Sequence, residues 1–586
     1  MPDLQQFLEE RFITSLSTAF GPAFAQADPM IGPSINTKFG DYQANVAMRL
    51  AKQLKRKPRE VAEAIVDKLE LDQVCDRIEI AGPGFINVRL SSTFLSERVA
   101  AMATDPCLGI APADSPEKVI VDYSCPNLAK EMHVGHLRST IIGDAIVRVL
   151  EFQGHHVIRQ NHVGDWGTQF GMLACHLDDN QPATQADMPT EELSIPDIEA
   201  FYQQAKRRFD TDTKFADRSR DCVVQLQRGD EHVLQMWRAI REQSLAHCQL
   251  LYERLGVKLK PDDVRGESAY NDMLPTILED LKKAQLLRTS QNADVVFPAG
   301  FKDRDGNPLP VIVRKSDGGY LYATTDLAAA RYRIEKLNTR RVIYVTDARQ
   351  IQHFAMVFQT LREAGWATDT VRLDHVAFGS ILGKDHRPFK TREGGTVKLS
   401  DVIDEAEERA ARILEQKNPD SPGENRRRIA QAVGIGAIKY ADLSNDRMKD
   451  YIFDWDRMLA LDGNTAPYLL NAYVRIRSIF RKGNVDEGML ANQAITIKAA
   501  EERALALKLL QFPVVITAVA DNLEPHRLCT FLYDVATAFH RFYEACPVLR
   551  AENKTTGDSR LRLCDLTARC LRTGLDLLGI RAIEKM

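Results

Sequence analysis

The hydrophobic positions change their period along the chain, and each change marks a predicted element. In "YQANVAMRLAKQLKRKPREVAEAIVDKL", Val46, Leu50, Leu54, Val61, Ile65 and Leu69 recur at broadly helical spacing, and Pro58 is placed to break or restart the helix. "DRIEIAGPGFINVRL" then alternates as two strands about a Gly-Pro-Gly turn. "LGIAPADSPE", rich in small residues and proline, reads as a linker. Residues 1–112 are therefore predicted to form a small α/β unit.

The period changes again at "KVIVDYS", a compact apolar strand, followed by the helical run "LRSTIIGDAIVRVLEFQG" and a second strand in "HHVIRQNHVGDWG". Strand, helix, strand is the start of a parallel α/β sheet. From about 177 the chain turns polar and then helical, with Ile198, Phe201, Tyr202, Ala205 and Phe209 on one face. This reads as an insertion or connecting region running to about 300. Sheet-like segments resume at "GGYLYATTDLAAARYRI", "RRVIYVTDARQIQHF" and "VRLDHVAFGSIL", and "LGKDHRPFKTREGGTVKL" has the glycines and charges of an exposed, mobile loop. From about 405 the pattern is almost wholly helical, which predicts a bundle. The expected division is 1–112, 113–404 and 405–586, with neither internal repeats nor low-complexity tracts.

Composition changes this picture little. A chain of 586 residues is too long for one core and suggests several domains of about 150 residues. With 44% hydrophobic and 27% charged residues and a formal net charge of -4, it has a soluble globular composition that neither demands nor excludes nucleic acid. Ten cysteines without a CxxC pair argue against a zinc ribbon and against a secreted disulfide framework; Cys564 and Cys570 read as small buried hydrophobes. The opening "MPDLQQFLEERF" lacks a signal-peptide pattern, and the sequence suggests no apolar run approaching bilayer length. A reducing, cytoplasmic setting without a membrane is expected.

The candidate chemistry begins in "SCPNLAKEMHVGHLRST", where His133 and His136 stand three apart at a strand-to-helix transition. As metal ligands they are too few, since zinc takes three or four and no nearby Cys or third His completes a set. As structural side chains they would pack or cap the helix. As anion-binding groups they explain more: a helix N-terminus offers free N–H groups and the positive end of its dipole, and Gly135 removes a side chain where a nucleotide needs close approach.

"HVGH" resembles the HIGH signature of class I aminoacyl-tRNA synthetases. Its setting resembles the arginyl-tRNA synthetase family, through "SCPNLAKEMHVGHLRSTIIGDAI", "NHVGDWGTQFGML", "GESAYNDMLP", "YLYATTDLAAARYR", "VTDARQIQHF", "GKDHRPFKTREGGTVKLSDVIDEA" and the long block from "GIGAIKYADL" to "NAYVRIRSI". The blocks span about 121–480, and "FGDYQANVAM" and the C-terminal helices resemble the family's appended domains. The resemblance implies a Rossmann-like parallel-sheet catalytic domain with a helical insertion, a small α/β N-terminal domain and an all-α C-terminal anticodon-binding bundle. It implies arginine–tRNA ligation: L-arginine and ATP, as its Mg2+ complex, form arginyl-adenylate, and arginine then passes to the 3'-terminal ribose of tRNA-Arg. No structural zinc, a monomer, and a need for tRNA before adenylate forms are expected with it.

Residue by residue, the resemblance assigns His133, Gly135 and His136 to ATP, with His353 near the adenosine unless it is a satisfied core histidine. The family's KMSKS element is altered to "FKTREGG", with Thr391-Arg392 nearest its second lysine; Lys384 is the expected substitute and Lys390 the second candidate, against a merely solvated basic loop. A guanidinium is planar, always charged and donates five hydrogen bonds, so a selective pocket needs carboxylates. The resemblance gives that role to Asp326 and Glu267, with Tyr322 lining the pocket and Asn127 and Gln350 orienting the amino acid's other end. Tyr322 and Asp326, four apart, share a face if that stretch is helical. The alternatives are a helix N-cap for Asp326, a core position for Tyr322 and a surface carboxylate for Glu267.

For RNA, Tyr468, Tyr473, Arg475 and Arg477 in "PYLLNAYVRIR" are candidates, since aromatics between cations suit unstacked bases and phosphates, although aromatics at helical spacing are also ordinary core. "KQLKRKPRE" offers a basic face on the N-terminal domain. The rival readings are a synthetase for another amino acid, an inactive RNA-binding adaptor and a stand-alone nucleotidyltransferase.

Overall fold

Pro58 begins a helix, as its fixed φ and missing N–H suit the first turn. A computed structural model describes residues 4–34, 36–180, 198–389, 397–417, 423–491 and 493–586. The N-terminal region runs α1 (Leu4–Phe20), β1 (Ile31–Pro33), β2 (Tyr42–Ala44), α2 (Val46–Leu54), α3 (Pro58–Val66), β3 (Cys75–Ala81), β4 (Phe85–Leu90) and α4 (Ser92–Thr104). Its strands form an antiparallel sheet in the order β1-β2-β4-β3. Val46, Leu50, Val61 and Ile65, four of the residues that set the helical period, are buried.

The parallel sheet lies in a second compact unit, Ala113–Leu459 with Leu577–Ile580. It opens with β5 (Lys118–Asp122), α5 (Val134–Phe152), β6 (His156–Gln160) and α6 (Thr168–Asp179). The connecting region is helical, with α7 (Ile198–Thr211), α8 (Thr213–Arg228), α9 (Glu231–Leu255), a 3-10 turn Glu267–Met273 and α10 (Leu274–Lys283). A small antiparallel sheet of β7 (Leu287–Ser290), β8 (Ala293–Val296) and β9 (Val311–Arg314) follows, and then α11 (Tyr322–Arg331). The main sheet resumes with β10 (Arg341–Asp347), α12 (Ile351–Glu363) and β11 (Arg372–Phe378).

The four main strands run parallel in the order β11-β10-β5-β6. The chain leaves β5 through α5 toward β6 on one side, and leaves β10 through α12 toward β11 on the other. The adjacent strands β5 and β10 therefore form a switch point, and the crevice beyond their carboxyl ends is where open α/β sheets bind ligands. Ile120, Val342, Tyr344 and Phe354 fill the core beneath it.

Two expectations change here. "YLYATTDLAAARYR" looks sheet-like in the sequence, yet Tyr322–Arg331 is the helix α11. Alanine is the strongest helix former, and Ala328, Ala329 and Ala330 are buried together with Leu327. The second change concerns the boundary expected at 404/405, which falls inside α13 (Leu399–Lys417) and within this unit. The unit continues through β12 (Ile381–Leu382), α13, α14 (Gly423–Leu443), β13 (Tyr451–Ile452) and α15 (Trp455–Met458). A buried ion pair holds this segment to the sheet's first helix: Arg138 on α5 lies 3.0 Å from Asp442 on α14, and its guanidinium also sits over the rings of Phe378 and Tyr451. Burying a charge is tolerated only when it is paired in this way.

The remaining helices are α16 (Ala466–Gly483), α17 (Glu487–Leu490), α18 (Ala500–Leu509), α19 (Phe512–Asn522), α20 (His526–Ala545) and α21 (Lys554–Leu577). They belong to one unit with the N-terminal region, joined by a buried pair in which the Arg503 guanidinium donates to Asp41 and to the Leu90 carbonyl. Cys564 and Cys570 are fully buried, as small hydrophobes are. Contrary to the sequence expectation, Ala500–Asn522 is long and apolar enough by length and composition to cross a membrane. It is divided between α18 and α19, and Leu505, Leu509, Phe512 and Ile516 are buried in the helical core.

Candidate active site at the switch point of the parallel sheet

His133 is the N-cap of α5, and the two imidazoles are used in the same way. His133 Nδ1 accepts from the Gly135 N–H at 3.0 Å, and His136 Nδ1 accepts from the His133 N–H at 3.1 Å. An Nδ1 that accepts leaves Nε2 as the protonated nitrogen of the neutral ring. Burial, and then the neighbouring His133, pushes His136 down to about 3; burial and then Lys130 lower His133. The helix end thus carries two uncharged N–H donors, with ring centroids 3.9 Å apart. The strand-like pairing of His133 with Lys398 brings the far side of the altered loop to the same place: Val134 N–H donates to the Val397 carbonyl, and Lys398 pairs with Glu131 at 2.7 Å.

The other wall is built on α11 and α12. Asp326 is the fifth residue of α11 and not its cap, which is Leu321. His353 on α12 donates from Nε2 to Asp326 at 2.7 Å, and His162 lies 4.0 Å from the same carboxylate. Tyr322 shares α11 with Asp326 and is 64% exposed, so it is not core; its ring lies 5.0 Å from that of His353. Gln350 ends the 3-10 turn that precedes α12 and is exposed.

Glu267 is half-buried, and its N–H donates to the Val163 carbonyl. Burial, and then the charges of Asp326 and Asp165, pushes its carboxyl up to about 7. Gly266 before it is required by space, since a Cβ there would fall 2.3 Å from an Asp165 oxygen. Asp165 is itself held by Arg241 at 2.9 Å and by the N–H and hydroxyl of Ser268. Asn127 joins the group through backbone pairing with Gly164. These contacts link Glu267, Tyr322, Asp326 and His353, with Asn127 reached through Gly164, while His133 and His136 stand at the start of α5, which follows β5, and Gln350 at the start of α12, which follows β10. His162, Asp165, Arg241 and Lys398 are additions that sequence reasoning misses; "NHVGDWG" holds the first two, but nothing in it reveals their distant partners. Among the described residues no group of three or more His, Cys, Asp or Glu is arranged to hold a metal ion.

Comparison with known proteins decides the family. Residues 100–455 match the family described as tRNA synthetases class I (R), catalytic domain; residues 469–586 match the DALR anticodon binding domain, and residues 6–90 the arginyl tRNA synthetase N terminal domain. The chain belongs to the arginyl-tRNA synthetase family. It is 51% identical to an arginine–tRNA ligase of Enterobacter sp. and 52% identical to one of Laribacter hongkongensis, over 100% of each chain. Its fold matches the arginyl-tRNA synthetases of Plasmodium falciparum (TM-score 0.85, 33% identity) and Thermus thermophilus (TM-score 0.80, 25% identity), again over 100% of each chain.

The remaining residues that the arginyl-tRNA synthetase resemblance names fare differently. Lys384 is 64% exposed and pairs with Asp454 at 3.2 Å and Asp456 at 3.6 Å; Asp454, the first of these, raises its pKa most. Lys390 lies outside the described residues. On α16, Tyr473 is buried to 2% exposure and its hydroxyl donates to Glu584, while Arg477 pairs with Glu584 and Glu487. Both are thus occupied within the protein. Arg475 lies over the Tyr543 ring and, with Asn471, Lys482 and Arg550, lines a groove of about 710 Å³. Tyr468 packs on Tyr533 and His540.

Proposed function

We propose that the switch-point crevice is where this chain activates L-arginine with ATP, before esterifying the 3'-terminal ribose of tRNA-Arg. The observation that carries the assignment of the site is the pairing of a carboxylate wall, Asp326 with Glu267, with a helix end bearing two neutral donors. In the first step an arginine carboxylate oxygen bonds to the α-phosphorus, and the bond to the departing pyrophosphate breaks. The ribose hydroxyl then attacks the arginyl carbonyl, and AMP leaves.

His133 and His136 donate from Nε2 to phosphate oxygens without placing fixed charge there, so their contribution is alignment and stabilisation of the anionic transition state. Gly135 admits the nucleotide to the helix end. Asp326 and Glu267 receive the guanidinium; below about pH 7 a bound cation draws off the proton that Glu267 holds in the free pocket. Tyr322 covers the guanidinium, and Asn127 and Gln350 orient the amino and carboxylate groups. His353 fixes Asp326 and lies toward the adenosine side. Mg2+ enters with ATP, and Lys384 reaches the triphosphate by leaving its two surface aspartates, with Lys390 as the second candidate. On the C-terminal bundle, the Arg475–Tyr543 groove is the best-supported RNA contact, with Tyr468 beside it; Tyr473 and Arg477 act through the shape of that surface. The protein works as a cytoplasmic monomer.

A charging assay with total tRNA, ATP and Mg2+, offering each of the twenty amino acids separately, tests this reading. Arginine alone should be charged, and arginine-dependent ATP–pyrophosphate exchange should require tRNA. Charging of another amino acid would discard the pocket.

A further inference from the structure

The connection between β5 and α5 carries three non-glycine residues in the left-handed region: Ser124 at φ 73°, Cys125 at φ 48° and Ala129 at φ 67°. L-residues adopt that conformation only when their surroundings over-determine it. Here the restraint comes largely from outside the connection. Ala129 N–H donates to Ser244 Oγ at 3.0 Å, and the Ser244 hydroxyl donates to the Ile240 carbonyl at 2.7 Å. Tyr252 Oη lies 2.8 Å from Ser124 Oγ and accepts from Asn161 Nδ2 at 3.0 Å, while Asn161 Oδ1 accepts the Cys125 N–H at 3.0 Å. Ser124, Ala129, Asn161, Ser244 and Tyr252 are all buried, so water cannot replace a lost partner. Ser244 and Tyr252 both lie on α9, eight residues apart and therefore on one face.

We propose that Ser244 and Tyr252 are positioning residues for the aminoacyl end of the site. By holding Ala129 left-handed, and Ser124 jointly with Ser139 and Thr140 of α5, they set where Asn127, between the two, stands relative to the His133–His136 turn. The proposal rests on the reading that Asn127 contacts arginine. It gives the connecting region a task in catalysis: α9 is the rail on which the strand-to-helix connection is formed.

The test is steady-state charging by Ser244→Ala, with Tyr252→Phe beside it, and hydrogen exchange over residues 124–130 in the full chain. Each substitution should raise the arginine KM about tenfold while the ATP KM changes less than about twofold, since small displacements of a positioned group are costly. Exchange over 124–130 should accelerate. Adding Ala129→Gly to Ser244→Ala should reverse much of both effects, because glycine populates the left-handed region freely. A purely structural hydroxyl predicts the opposite, because glycine would add to the damage. Unchanged exchange in Ser244→Ala, or no rescue by glycine, overturns the proposal. Asn127→Ala separates the two readings: if it leaves the arginine KM unchanged, the Asn127 assignment fails, and exchange and rescue still decide the role of Ser244.

Discussion

At the α5 end of the site the groups offered to a ligand are neutral, and at the α11–α12 end they are acidic. His133 and His136 are fixed by accepting main-chain N–H groups, and burial keeps them uncharged. Asp326 is held by His353, and Glu267 is half-buried within reach of two further carboxylates. The difference follows from the ligands each end would receive. A triphosphate already travels with Mg2+ and needs aligned donors more than added charge. A guanidinium cannot lose its proton, so its pocket must supply the countercharge. The first end should therefore govern turnover, and the second should govern recognition of the amino acid.

The largest expected effect comes from His136→Ala. Losing a donor aimed at the transition state should lower kcat by about two to three orders of magnitude and leave the arginine KM near its original value. A rise in arginine KM with kcat intact would erase the division between the ends. Next is the pH dependence of arginine recognition. With Glu267 pushed up to about 7, the free pocket holds a proton below that pH, and arginine must displace it. The arginine KM should rise about tenfold as pH falls from about 8 to about 6, and Glu267→Gln should flatten the profile. The same raised pKa means that the folded protein holds this proton more tightly than the unfolded chain. This group's contribution to stability is therefore present at low pH and is lost as pH rises through about 7. The smallest effect is at Lys384. Removing the exposed Asp456, 3.6 Å from it, by Asp456→Asn should change the ATP KM by no more than about twofold, because exposed ion pairs contribute little. A larger change would mean that the lysine is held in place by that pair.

The two ends are unequally legible in the sequence. His133, Gly135 and His136 form a local signal, and a strand-to-helix turn makes its own anion site. The carboxylate wall depends on remote segments coming together: Asp326 with His353 and His162, and Glu267 near the charges of Asp326 and Asp165. Periodicity cannot report these, and the helix that carries Asp326 itself looks sheet-like in the sequence. Three left-handed residues without a glycine leave no trace in the pattern either. Tyr473 and Arg477 show a second limit: aromatic and basic residues alternating along a helix read the same in sequence whether or not they also contact an internal glutamate, as both do here with Glu584. Arg475, in the same run, does line an open groove.

The most direct test of the carboxylate wall is competition between L-arginine and L-citrulline, which replaces the guanidinium with a neutral ureido group of nearly the same shape. The preference for arginine over citrulline would be measured for the wild-type protein and for Asp326→Asn, with the ATP KM as an internal reference. The substitution should reduce the preference by about two orders of magnitude and change the ATP KM less than about twofold. An unchanged preference would contradict this and would move the guanidinium away from Asp326.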